Sequence, residues 1–303
     1  MKRKFHLALD WTPNVNHIGF LVGLEKGFYK ELAIQLEIID PEDDNYKETP
    51  AKKVELGKAD AALCPTESLI SYRSKKKPFP LKAIAAIYSS DVSAICTLGN
   101  SNINFPKELD GMTYASYQAR YEDHIVKQMI KNDGGNGDIQ ITYPDKLGIW
   151  NTLLQGKADA TWIFTNWEGV QAKSKKLKLN YFKMSNYDIP YSYSPIIAID
   201  EDAFSLNKSV FGDFIKATKK GFLQTKKDPT DAARILEKYV PAYDKDIDLE
   251  SAIRFSVDHM EDTKDWGKMR IDQVNAFLEW IHENGLEQKR FTADEIVTNE
   301  LLT

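Results

Sequence analysis

Cysteine is scarce: Cys64 and Cys96 are the only two among 303 residues, and neither belongs to a C-x-x-C pair or a metal-spaced cluster. This excludes a disulfide framework and a cysteine zinc site. Two buried free thiols are expected, a single bridge requiring the fold to bring them together. No apolar run approaches the roughly 20 residues of a membrane-spanning helix. An excess of positive charge is also lacking, with 40 Lys and Arg against 45 Asp and Glu. A net charge of −5 provides no clustered basic surface, so no nucleic-acid partner is expected. The one basic cluster, RSKKK at 73–77, reads as a solvated helix end. There is no Walker-type glycine loop, no G-x-S-x-G elbow and no H-E-x-x-H pair. Carboxylate pairs occur in YEDH and IDEDAF, but their spacing alone assigns no acid–base work. The balance leans to a binding protein over an enzyme, with no cofactor and no metal expected.

What the chain does have is globular composition, 42% hydrophobic and 28% charged, over a length that allows two lobes. Short apolar runs alternate with amphipathic ones. KFHLALD and IQLEIID read as strands; IGFLVGLEKGFYKEL and YKETPAKKVELGK read as helices, the first broken near Gly27. This β–α–β–α order predicts α/β layers with mostly parallel strands. From 209 to 286 the pattern is helical, with Pro229 at a helix first turn and Gly285 at a helix stop. The basic start MKRKF runs straight into strand and turn, not into a signal-peptide apolar region. Either an export signal has been removed, making the protein periplasmic or lipid-anchored, or Met1 is the native start and the protein is cytoplasmic.

One internal echo organises the rest. VELGKADAAL at 54–63 returns in form as LLQGKADATW at 153–162. Each reads as a helix end, a Gly-Lys turn, an Asp and a short buried strand. Two lobes of similar build are therefore expected, each presenting strand ends to a shared cleft, because open α/β sheets bind ligands beyond the C-terminal ends of their strands. The segments after those ends are DWTPNVNH, CPTES, YQARYEDH and WIFTNWEG, with DIPYSYSP further on. They supply the candidate ligand contacts: Asp10, Trp11, Asn14, His17, Thr66, Glu67, Tyr117, Glu122, Trp162, Phe164, Asn166, Trp167, Tyr191 and Tyr193. Aromatic faces with a few carboxylates and amides suit a flat, nitrogen-rich small molecule, and they suit a sugar as well. Each aromatic has a plainer reading as core. Ile163 alternates with Trp162 and Phe164, so one face of that strand is packing, and Trp266 and Trp280 are read as core.

In order along the chain, LDWTPNVNHIGFLVGLEKGFYKE, GKADAALCPTES, ELDGMTYASYQARYEDHIVKQMIKNDGG, WIFTNWEGVQAK and YSYSPIIAIDEDAF resemble the thiamin-pyrimidine family of type II periplasmic binding-protein folds. The resemblance covers roughly residues 5–285 and implies a two-lobe fold, lobe one at 1–92 and 195–303, lobe two at 93–194. Its bacterial branch implies an ABC-transporter substrate-binding protein for a formylaminopyrimidine thiamin precursor, trapped by hinge closure and delivered to an ABC permease if exported. By the same resemblance Glu122 would read the aminopyrimidine edge, and His17 matches a family position in the opening turn. The fungal branch implies a thiamin pyrimidine synthase with a pyridoxal-phosphate lysine, a donor histidine and a cysteine-rich iron run. Where those should stand, this chain has Cys64, Ser68 and the cysteine-free DIPYS at 188–192. The binding branch is the expectation. The cytoplasmic synthase, and a receptor for another heteroaromatic or a sulfonate-like ligand, are the alternatives.

Overall fold

A computed structural model describes residues 3–144 and 149–302, so Met1 and Lys2 of the basic start lie outside the described residues. The chain divides into two compact units, residues 1–91, 192–278 and 287–303 in the first, and 92–191 with 279–286 in the second. Unit 1 begins with β1 (Arg3–Ala8), α1 (Ile18–Glu25), α2 (Phe28–Glu31), β2 (Ile34–Ile39), α3 (Pro50–Glu55), β3 (Ala61–Cys64), α4 (Thr66–Ser74) and β4 (Leu81–Ala86). Unit 2 follows with β5 (Ser93–Leu98), β6 (Thr113–Ala115), α5 (Glu122–Asn132), β7 (Gln140–Thr142), α6 (Ile149–Leu154), β8 (Ala160–Phe164), α7 (Glu168–Ser174) and β9 (Leu179–Phe182). The remaining elements are β10 (Ile196–Asp200), α8 (Glu201–Lys227), α9 (Pro229–Leu236), α10 (Leu249–Val257), α11 (Ile271–Glu283) and α12 (Ala293–Ile296).

Each unit is built on one five-stranded sheet, ordered β2-β1-β3-β10-β4 in unit 1 and β7-β6-β8-β5-β9 in unit 2. β1 pairs in parallel with β2 and β3, while β10 runs antiparallel to β3 and β4. In unit 2, β6 pairs in parallel with β7 and β8, and β5 runs antiparallel to β8 and β9. The two sheets therefore match strand for strand, with one reversed strand in each. Central strands such as AALC and IIAI are apolar at successive positions because helices cover both faces of an α/β sheet.

The echo is a structural repeat. Gly57 (φ +68°) and Gly156 (φ +65°) close the turns after α3 and α6, in the left-handed region that a side chain disfavours. Asp60 then donates its N–H to His6 O (2.9 Å) and accepts His6 N–H at Oδ2 (2.7 Å). Asp159 does the same with Thr113, at 2.8 Å in both directions. In each unit the aspartate stitches the third strand of the βαβ run beside the first. The motif is thus a strand-register device.

Three expectations are corrected. The helix read over YKETPAKKVELGK begins only at Pro50, because the proline ring suits a first turn and Thr49 accepts the Lys52 N–H as its cap. α8 starts at Glu201, eight residues before the helical pattern was read, and is interrupted by non-helical backbone at Asn207. Trp266 is fully buried as read, but Trp280 is only partly so. Cys64 and Cys96 are buried free thiols. Among the described residues no helix is long and apolar enough to cross a membrane.

Candidate functional site

On unit 1 the polar groups gather at the C-terminal ends of three parallel strands. Asp10 follows β1, Asp40 follows β2 and Glu67 follows β3. The loop after β1 folds into one turn of 3-10 helix at Val15–His17, capped by Asn14, whose Oδ1 accepts the Asn16 N–H (2.8 Å). The Asn14 amide donates to Thr12 O (3.0 Å), and Tyr88 Oη donates to Asn16 Oδ1 (2.9 Å). His17 lies beneath this turn. Its Nδ1 accepts the Asn14 N–H (3.1 Å) and its Nε2 stands 2.8 Å from Asp10 Oδ1. The His17 side chain has no exposed surface, whereas that of Asp10 is 21% exposed. Asn14 and His17, read from the sequence as ligand contacts, are buried and hydrogen-bonded within the turn, and Asp10 and Trp11 are the parts of it that reach solvent.

Trp11 packs against Tyr46 with ring centroids 5.4 Å apart, and Tyr243 Oη donates to Glu42 Oε1 nearby in sequence (2.7 Å). Burial holds the Asp40 carboxyl above its ordinary value against the lowering pull of the Glu42 N–H it accepts, while the charges of Glu42 and Asp43 push it up. Burial also pushes the Cys64 thiol up, and the charges of Asp10 and Glu67 add to that. Thr66 and Tyr193 are committed to each other: Thr66 N–H and Oγ1 both donate to Tyr193 O, at 3.2 and 2.8 Å, and Tyr193 Oη accepts the Arg270 N–H (2.8 Å).

On unit 2 the equivalent strand ends carry Tyr117 after β6, Tyr143 after β7, and Asn166 and Trp167 after β8. Here the carboxylates sit at the start of α5. Glu122 accepts from Tyr114 Oη (2.7 Å), from Tyr117 N–H (3.0 Å to both oxygens) and from Ala119 N–H (3.1 Å). Asp123 accepts from Ser116 Oγ (2.7 Å) and Tyr143 Oη (2.6 Å). Burial raises the Glu122 carboxyl above its ordinary value, against the lowering pull of those donors. Glu122 is only 2% exposed, and both of its oxygens are engaged by its own loop. In this arrangement it shapes the 116–121 loop and offers no outward edge.

Trp162 and Phe164 lie on the opposite face of β8 from the buried Ile163, and Trp162 meets Tyr191 edge-on at 5.2 Å. Asn166, Trp167 and Tyr191 are buried. The sequence reading missed Asp40, Tyr46, Asp123 and Tyr143. One signal was available for two of them: the edge strands β2 and β7 are each followed directly by a residue and a proline, Asp40-Pro41 and Tyr143-Pro144.

Comparison with known proteins agrees with this architecture. The family model described as NMT1/THI5 like matches residues 14–232. The formylaminopyrimidine-binding protein of Halalkalibacterium halodurans is 25% identical over 235 residues, 76% of this chain and 68% of that protein. The 4-amino-5-hydroxymethyl-2-methylpyrimidine phosphate synthase of Legionella pneumophila is 22% identical over 310 residues, 100% of this chain and 93% of that protein. Among solved structures, the Candida albicans CA3427 gene product, described as having the generic periplasmic binding protein fold, superposes with a TM-score of 0.72 at 13% identity, covering 98% and 96% of the two chains.

Proposed function

We propose, from the premise that the chain belongs to the NMT1/THI5-like family, that it is a substrate-binding protein for an aminopyrimidine thiamin precursor, serving ABC-type uptake through a permease if exported. The observation that carries this reading is the chemistry of the strand ends. Asp10 and Asp40 follow the adjacent strands β1 and β2 and are partly exposed, with Trp11 beside Asp10, while Glu67 after β3 is buried at 3% exposure. An aminopyrimidine has a flat ring for an indole face and an exocyclic amine whose hydrogens a carboxylate accepts. A sulfonate has three acceptor oxygens and a negative charge, and the partly exposed carboxylates of Asp10 and Asp40 oppose it.

The synthase reading has a relative that spans the whole chain. Against it, the position that the resemblance gives to the imine lysine is occupied by Cys64, a buried thiol at the end of β3 that can form no imine with pyridoxal phosphate.

The test is a calorimetric titration with formylaminopyrimidine, 4-amino-5-hydroxymethyl-2-methylpyrimidine and an alkanesulfonate, followed in parallel by tryptophan fluorescence. Saturable binding of a pyrimidine with quenching is expected, together with no binding of the sulfonate. Trp11→Ala should weaken binding by about 1 kcal/mol or more. Sulfonate binding in preference to both pyrimidines would overturn the reading. A borohydride-trapped pyridoxyl-lysine, or a histidine converted to a fragment, would turn it toward the enzyme.

A further inference from the structure

The opening turn contains an imidazole with no exposed surface, and its hydrogen bonds define what it does. His17 Nδ1 accepts the backbone N–H of Asn14, a group that can only donate, so Nδ1 carries no hydrogen. The hydrogen of the ring is therefore on Nε2, pointing at Asp10 Oδ1, 2.8 Å away. Asn14 is itself held at three points: its N–H by His17, its amide by Thr12 O and its Oδ1 by Asn16 N–H. The tautomer of His17 is thus set by a backbone that the turn immobilises. Asp10 makes no other hydrogen bond among the described residues, so the imidazole alone holds its carboxylate, through one oxygen. The partly exposed carboxylate keeps Oδ2 as an acceptor.

We infer that His17 is a positioning residue: it donates from Nε2 to Asp10 Oδ1 and so presents Oδ2, in one orientation, to an amine donor of the ligand. The inference rests on the binding reading given above for its ligand, and on the geometry alone for its tautomer. A free Asp side chain would lose rotamer freedom on meeting a ligand; one already held by a buried donor has less to lose. The same geometry separates two roles for the ring. As a support for the turn, His17 matters through Nδ1 and Asn14. As a positioning group, it matters through Nε2 and Asp10.

Two substitutions split these roles. The amide of Asn reaches about as far as Nδ1, so His17→Asn keeps the acceptor for Asn14 N–H and loses Asp10. The longer Gln places an N–H near the position of Nε2, so His17→Gln keeps the donor to Asp10 and loses Asn14. With formylaminopyrimidine as the titrant, His17→Gln should bind within about threefold of the wild type and His17→Asn about tenfold or more weaker, even if His17→Asn is the more thermally stable of the two. The double variant Asp10→Ala with His17→Asn should bind no more weakly than Asp10→Ala alone. The reverse ranking, or losses that multiply in the double variant, would overturn the inference and leave His17 as a turn support. Nitrogen-15 spectra of the histidine rings in the ligand-free protein decide the tautomer independently of any ligand. The His17 signal, assigned by its loss in His17→Gln, should show hydrogen on Nε2 and none on Nδ1, and Asp10→Ala should shift the Nε2–H resonance. A hydrogen on Nδ1, or a resonance indifferent to Asp10, would overturn it. If the wild type binds neither pyrimidine, the functional reading fails and these spectra still decide the Asp10–His17 arrangement.

Discussion

The two units share a strand order and differ in where they place their carboxylates. After β1, unit 1 carries Asp10 outward on the loop and buries His17 beneath it at the start of α1. After the equivalent β6, unit 2 carries Tyr117 on the loop and puts Glu122 and Asp123 beneath it at the start of α5. The same contrast recurs after the edge strands, where Asp40 follows β2 and Tyr143 follows β7. One sheet plan thus yields an acidic edge and an aromatic edge. In unit 2 the acids are consumed in holding loops, and a helix start suits them, since carboxylates there face unpaired N–H groups and the positive end of the helix dipole. In unit 1 the holding is done by an imidazole and an asparagine, which leaves a carboxylate for something else.

The largest effect expected is on the framework of unit 1. A Cβ added at Gly221 of α8 would lie 1.9 Å from Gly19 O on α1. Backbone cannot yield to that as a flexible side chain does, so Gly221→Ala should cost about 3 kcal/mol or more. Hydrogen exchange should show the loss concentrated in the amides of β1 and α1. An equal loss across β6 and β8 would mean that the two units do not respond as separate compact bodies.

The next effect is a direct break of the carboxylate comparison. Glu122→Gln replaces one accepting oxygen by an NH2 and leaves a buried donor, an N–H of Tyr117 or Ala119 or the Tyr114 hydroxyl, without its acceptor, at a cost of about 1–3 kcal/mol. Asp10→Asn, on a partly exposed side chain with a single partner, should cost less than about 1 kcal/mol in stability while weakening pyrimidine binding. Chemical denaturation and calorimetric titration of both variants give the two numbers needed. Should Glu122→Gln leave stability unchanged and abolish binding, the roles assigned to the two carboxylates are exchanged.

The smallest effect is a pH dependence on the acidic edge. The folded Asp40 carboxyl is raised above its ordinary value of 3.8, mainly by burial. The folded state therefore keeps this proton to a higher pH than the unfolded chain does. Its contribution to stability is fully present below 3.8 and is lost as pH rises through the raised folded value. Denaturation midpoints measured upward from that pH should fall less steeply in Asp40→Asn than in the wild type. Identical slopes would remove Asp40 from the set of perturbed strand-end acids.

Much of this was legible in the chain itself. The apolar periods of KFHLALD and IQLEIID give parallel strands, and the two GKAD segments give matching turns, because a left-handed glycine, an aspartate and a short buried strand are local features with local causes. The same patterns carry the family resemblance, and they place Asp10, Trp11, Tyr117 and Glu122 beside strand ends. Spacing says which residues share a turn. It does not say which of them lies on top.

That order was decided by the tertiary structure. His17 stands at the start of the helix that follows β1 and Glu122 at the start of the helix that follows the equivalent β6, and both are polar residues with a ligand role plausible by type. The donors that hold each are local, Asn14 N–H three residues from His17, and Tyr114 Oη with the Tyr117 and Ala119 N–H groups within eight residues of Glu122, but the burial of both side chains comes from packing within the unit. A buried polar group has to spend its hydrogen-bonding capacity on its neighbours, and only the packed chain takes away the water that would otherwise compete for it.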